Sequence, residues 1–240
     1  MMKKKMLALL FIGILCLSLS ACGESTVKTS QDDSSFEKKM LNIVDDEETE
    51  STEKTEGGQD GQMEIPDAVI NISPEDDQAL TGVLTEDSYT NDYFGLKLGR
   101  CEGGTIKSFM DSGTDLMPLS EAYAEGIGSI IIQSQDAGDG SYVSMSVSAL
   151  TSKEQGKDGE VLAMERLELE QKLGSAVDRT VETMTVAGEE HTAYVEITDS
   201  EEGRTKAATI YMIKGDFQCI ITVCAAEDRF DEMLNLIEKI

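Results

Sequence analysis

The chain has 240 residues, with 47 acidic against 20 basic side chains and one histidine, for a formal net charge of −27. Such a surface repels phosphate backbones, which excludes nucleic acid as a partner, and it keeps the body of the protein off anionic lipid head groups. The length suits one domain with a tail and hardly two domains.

Lys3, Lys4 and Lys5 precede an apolar run from Met6 to Leu17, which closes on Leu19-Ser20-Ala21-Cys22-Gly23. A basic start, a short apolar stretch and small residues before a cleavage point make a secretory signal peptide. The stretch from Met6 to Ala21 is about 16 residues and contains Ser18 and Ser20, whereas a membrane-spanning helix wants ~20 apolar residues. The leucine, small, small, cysteine ending resembles the lipobox of bacterial lipoproteins. That resemblance implies removal of residues 1–21 and attachment of diacylglycerol, with palmitate-type acyl chains, to Cys22. It places the protein on the extracytoplasmic face of the cell membrane, with the lipid as its membrane contact.

Of the five cysteines, Cys16 leaves with the signal and Cys22 carries the lipid. Cys101, Cys219 and Cys224 remain, an odd number that fits one disulfide plus a thiol, or no disulfide. The Cys219-x-x-x-x-Cys224 spacing is neither a redox pair nor a zinc half-site. On a strand, Cys219 shares a face with Phe217, Ile221 and Val223, which makes it a small core residue.

Residues 22–86 read as an acidic linker. The stretch Asp45-Asp46-Glu47-Glu48-Thr49-Glu50-Ser51-Thr52-Glu53 has no aromatic residue and too little apolar surface to offset its ordering entropy. Phe36 to Val44 suggests a transient helical turn. Ile65, Val69, Ile70 and Ile72 suggest a lightly docked strand, which Pro66 and Pro74 interrupt. As a coil of roughly 60 residues the linker reaches ~40–45 Å on average.

A single folded domain is expected over 87–240. Tyr93 to Leu98 reads as its entering strand, broken by glycines at 99, 103 and 104. Pro118 and Ser120 introduce a short helix over Glu121–Ala124. Ser129 to Gln135 is an apolar strand, and after the turn Asp136–Gly140 the residues Val143, Met145, Val147 and Ala149 alternate with serines. Gly159 to Leu173 reads as a helix with Val161, Leu162, Glu165, Leu169 and Leu173 along one side. Four antiparallel strands follow at Thr180–Val186, Thr192–Thr198, Lys206–Ile213 and Phe217–Cys224, joined by short glycine-bearing turns. A last helix from Glu227 is expected to bury Phe230, Met233, Leu234, Ile237 and Ile240 as one stripe. The predicted class is α+β, an antiparallel sheet flanked by helices.

Tyr89-Thr90-Asn91-Asp92-Tyr93-Phe94-Gly95-Leu96 resembles the opening of a group of lipoproteins of Gram-positive Firmicutes, which carry a Y-x-N-x-Y-F-G-L strand, a P-E-G-W turn and a late meander. The group is similar to the superfamily of the photosystem extrinsic protein PsbP and the Ran-binding protein Mog1, which implies a PsbP/Mog1-like sheet sandwiched by helices. Where the group has P-E-G-W this chain has Cys101-Glu102-Gly103-Gly104, and it has no tryptophan at all. Either another residue, such as Phe109 or Tyr123, is then expected to fill that volume, or the corner is looser.

No set of catalytic side chains stands out. His191 lies beside Glu189 and Glu190 at a hairpin mouth and reads as a solvated turn residue, since a tetrahedral metal site wants four ligands. The Asp136–Gly140 turn lacks EF-hand spacing, so Asp136 and Asp139 read as turn formers. Met145, Met164, Met184, Met212 and Met233 fall on expected core faces. No cofactor or metal site is expected. The leading expectation is a non-enzymatic binding or accessory module of the cell envelope, with an envelope or surface protein as partner. An envelope hydrolase or assembly factor would need converging carboxylates in a cleft. A transporter's solute-binding component comes third, because such proteins need two α/β lobes.

Overall fold

The computed structural model describes residues 65–109, 113–174, 177–200 and 203–240. Cys22 and most of the expected linker lie outside the described residues. Two antiparallel sheets and a few helices make an α+β fold, the class expected from the sequence.

The fold begins earlier than residue 87. Helix α1 spans Asp67–Ile70 and α2 spans Pro74–Thr81, followed by β1 at Val83–Leu84. Val69, Leu80 and Leu84 are all buried in the main core. The end of the expected linker is therefore part of the domain, and Ile65 to Ile72 supplies a helix rather than a strand. Pro74 opens a helix instead of interrupting a strand, because a first helical position needs no N–H bond. The Ser73 hydroxyl accepts from the Asp76 amide at 3.1 Å, and Glu75, Asp76 and Asp77 favour the positive end of the helix.

Strands β2 (Ser88–Asn91) and β3 (Leu96–Gly99) form a hairpin, so Tyr93 and Phe94 lie in its turn rather than in a strand. Asn91 organises this corner. It is fully buried, its Nδ2 donates to the Leu80 carbonyl at 2.7 Å, and its Oδ1 accepts from the Phe94 amide at 3.0 Å. The buried Tyr89 hydroxyl donates to the Thr81 carbonyl at 3.0 Å, fastening α2 to the hairpin, and burial holds the phenol well above its ordinary pKa.

The large sheet has the order β4-β5-β6-β10-β9-β8-β7, all antiparallel. Its strands are β4 (Thr105–Ser108), β5 (Ile130–Gln135), β6 (Tyr142–Ala149), β7 (Asp178–Val186), β8 (Glu189–Ser200), β9 (Gly203–Lys214) and β10 (Phe217–Ala226). One face carries Ile132, Val143, Met145, Val147, Val195, Ile210, Cys219, Ile221 and Val223, all essentially without solvent exposure. The alternation read in β6 and β10 is thus the core face.

Helix α3 (Leu119–Ala124) starts after Pro118 as expected, and Tyr123 is buried with its hydroxyl accepting from the Ala149 amide at 3.1 Å. Phe109 is 48% exposed, so it fills no core volume. At Gly104, where the resembling group has tryptophan, even a Cβ would collide with Cys101 Sγ and the Gln135 carbonyl.

Helix α4 (Gly159–Leu173) has the expected bounds, with the Asp158 carboxylate capping the Val161 amide at 2.9 Å. Its buried face is different. Leu162, Ala163 and Glu170 point inward, while Val161, Met164, Leu169 and Leu173 are exposed. Charge pairing beneath the helix sets this rotation.

The expected final helix is cut short. A 3-10 turn at Glu227–Arg229 leads to α5 (Phe230–Leu234), and the chain then forms β11 (Ile237–Lys239). β11 pairs with β3 and completes the small sheet β1-β2-β3-β11. Phe230, Met233 and Ile237 are buried as expected, but Ile240 is exposed. The i, i+3, i+7 spacing fits a helix equally well; the open edge of β3 decides, since only a strand satisfies its backbone groups.

Candidate functional site

At its last strand the large sheet meets α5, and between them lies a groove of about 430 Å³. Four consecutive β7 residues, Glu182, Thr183, Met184 and Thr185, form one wall. Phe230, Asp231, Leu234 and Asn235 form the other, with Lys206 of β9 at the base. The buried Met184 and Phe230 and the partly buried Leu234 provide apolar surface.

Lys206 Nζ lies 2.9 Å from Glu182 Oε2 and 4.9 Å from the centre of the Phe230 ring. The ammonium is thus held by a carboxylate and an aromatic face together. Asp231 has no such neutralising partner among the described ion pairs, so the mouth of the groove carries excess negative charge.

The opposite face of β7 and β8 carries a compact ionic cluster under α4. Arg179 Nε donates to Glu196 Oε1 at 2.9 Å and to the Tyr194 hydroxyl at 3.0 Å, and Tyr194 donates to Glu196 at 2.7 Å. Glu170 of α4 lies 2.8 Å from Arg166 and 3.5 Å from Arg179. Arg166 also stacks over the Tyr194 ring at 5.6 Å. Burial, followed by the Glu196 carboxylate, holds the Tyr194 phenol well above its usual pKa. This cluster fastens the helix and leaves no nucleophile free to act.

The sequence candidates fall in several places. His191 is half-buried on β8 opposite Met184, not in a solvated turn. Its Nε2 is buried without a hydrogen-bond partner, and desolvation lowers its pKa although Glu189 acts the other way. Asp136 and Asp139 are turn formers as expected. The Asp136 carboxylate accepts from the Gly138 amide at 2.6 Å, and that of Asp139 from the Ser141 amide at 2.8 Å. Arg229 reaches both, at 3.2 and 2.7 Å, and so ties the β5–β6 turn to the start of α5.

Cys101, Cys219 and Cys224 are buried thiols not joined to one another. Burial pushes the Cys219 thiol up to about 12. Met145, Met184 and Met233 are core residues, whereas Met164 is exposed. Among the described residues no three metal-ligating side chains converge, and no helix is long and apolar enough to cross a membrane.

No local sequence pattern marks the groove. The nearest signal is Thr180-Val181-Glu182-Thr183-Met184-Thr185-Val186, a β-prone run with one charge, but only the sheet order shows that it lies at an edge.

No family model matches the chain, and no curated protein matches it. Among solved structures it is similar to the cyanobacterial PsbP protein CyanoP of Synechocystis sp. PCC 6803. There the identity is 11%, the TM-score is 0.38, and the match covers 67% of this chain and 94% of that one. It is also similar to a protein of Bacteroides thetaiotaomicron VPI-5482, at 9% identity and a TM-score of 0.37 over 65% of this chain. The match spans about half of that protein, 49% of its length.

Proposed function

We propose that this chain is a membrane-anchored extracytoplasmic lipoprotein, serving as a non-enzymatic binding or accessory module of the cell envelope. The observation that carries the reading is Leu19-Ser20-Ala21-Cys22 directly after a short apolar run and three lysines. Such a segment is too short to span and is suited to cleavage and lipidation. Each buried methylene of an acyl chain adds ~0.8 kcal/mol of membrane affinity, so two or three chains on Cys22 hold the protein firmly. The groove beside β7 supports the binding half of the reading, because it offers apolar surface, a charged mouth and main-chain groups.

Metabolic labelling with a fatty acid tests the anchor. The parent chain should take up label and sediment with membranes, and Cys22→Ala should do neither or stay uncleaved on its signal peptide. No label in the parent, with unchanged size and membrane association in the variant, would remove the lipoprotein reading.

A further inference from the structure

We infer that the groove between β7 and α5 receives an extended, basic segment of a partner protein, which adds to the large sheet as a strand alongside β7. The inference rests on the binding-module reading above and names the partner class for that site.

Among the described residues β7 ends the seven-strand order and pairs only with β8. Alternate residues of such a strand point their N–H and C=O groups away from the sheet, a ready template for another chain. Nine residues present about 30 Å of this edge. The pairing with β8 runs from Asp178↔Ile197 to Val186↔Glu189 without a slip, so no bulge turns the edge aside. Between Thr180 and Val186 there is no lysine and no proline, the residues that commonly blunt an edge. Glu182 to Thr185 of this edge strand line the groove, and its Met184, Phe230 and Leu234 surface would take an apolar side chain of the incoming strand.

Charge selects the occupant. Asp178 opens β7, Glu182 and Asp231 both line the groove, and Arg179 is turned away into its buried cluster. Lys206 is held by Glu182. The chain as a whole carries −27, so a basic segment is drawn in and an acidic one repelled. A second copy is disfavoured for the same reason, because β7 against β7 would bring Asp178 and Glu182 of both chains onto one edge.

The test uses the full chain in detergent and a synthetic decapeptide of alternating lysine and valine. Two twins are N-methylated, one on each alternate set of residues, and a third has glutamate in place of lysine. Strand addition uses the main-chain groups of one alternate set only. One methylated twin should therefore bind at least about tenfold more weakly while the other binds like the parent peptide, since each lost hydrogen bond costs several-fold in affinity.

Amide exchange should slow within Asp178–Val186 when the peptide is bound. Asp231→Lys should weaken binding several-fold with unfolding unchanged. Equal binding by both methylated twins, equal binding by the acidic twin, or protection confined to other strands overturns the inference. So does concentration-dependent dimerisation that protects β7 without peptide. The mass of Cys22 on the same preparation separates the two readings: absent lipid with intact peptide binding defeats the anchor alone, and lipid with no strand addition defeats this inference alone.

Discussion

Arg179 and Glu196 face each other across adjacent strands at 2.9 Å, with 5% and 19% of their side chains exposed. The same guanidinium reaches Glu170 of α4, so one arginine joins helix and sheet. Removing one partner of a buried pair strands the remaining charge, which costs more than the intact pair contributes. Arg179→Met should destabilise by ~3 kcal/mol, at the low end for a buried pair because the cluster lies near the surface. Arg204→Ala, whose ion pairs are exposed, should change stability by less than ~0.5 kcal/mol. Urea unfolding of the two variants decides, and equal small effects would show that α4 is held by Leu162 and Ala163 alone.

The N-terminal helices should be required for folding. A chain starting at Asp87 loses Val69, Leu80 and Leu84 from the core, together with the Leu80 and Thr81 carbonyls to which the Asn91 amide and the Tyr89 hydroxyl donate. It should lose solubility or its cooperative transition. Leu80→Ala tests the same contact in the intact chain and should cost ~2–5 kcal/mol. A truncated chain melting within a few degrees of the parent would show that α1 and α2 merely rest on the surface.

Much of the large sheet was legible, because β6, β8, β9 and β10 alternate apolar and polar residues between glycine-bearing turns. The failures have specific causes. Pro74 reads as a strand breaker by composition but as a helix start once Ser73 caps it. Glu170 reads as solvated until Arg166 and Arg179 are seen to surround it, so counting apolar residues rotated α4 the wrong way. The groove depends on β7 being last in the sheet, which is a matter of long-range pairing that no local window contains.

Stability should fall on acidification below neutrality. Desolvation lowers the His191 pKa from its ordinary value near 6.5. The unfolded chain then binds a proton more readily than the folded one, so this contribution is full above the unfolded pKa and is lost as pH falls through the folded value. The Gly138 amide holds Asp136 low. Asp139 is also held low, by the Ser141 amide and Arg229 against its burial, and the two add a further loss at more acid pH, below their ordinary 3.8. His191→Leu should flatten the slope of the urea midpoint between neutrality and the acid carboxylate range. An unchanged slope there would show that His191 titrates alike in both states.

The turn joining β7 to β8 stores a correctable strain. Ala187 has φ 51° and Gly188 has φ 83°, the two left-handed positions of a tight hairpin. The alanine Cβ crowds its own backbone there, at a cost of roughly 1–2 kcal/mol, whereas asparagine offsets that crowding with local side-chain hydrogen bonds. Ala187→Asn should raise stability by about 0.5–1 kcal/mol and slow exchange of the neighbouring β7 amides. A loss of stability would mean that Ala187 makes packing contacts that outweigh the backbone gain.

The C-terminal strand should close the small sheet. Ile237 is 4% exposed and pairs with Leu98, while Glu238 points outward and meets Lys97 at 3.3 Å. An inward isoleucine truncated to alanine typically costs ~2–5 kcal/mol, and an exposed carboxylate in a surface pair less than ~1 kcal/mol. Ile237→Ala should therefore be far worse than Glu238→Ala in thermal unfolding. Ile237→Pro separates pairing from packing, because proline at this position also disrupts the strand backbone and should accelerate amide exchange along β3. Equal stability of all three variants, with β3 exchange unchanged, would show that β11 contributes nothing to the sheet and that the core ends at Met233.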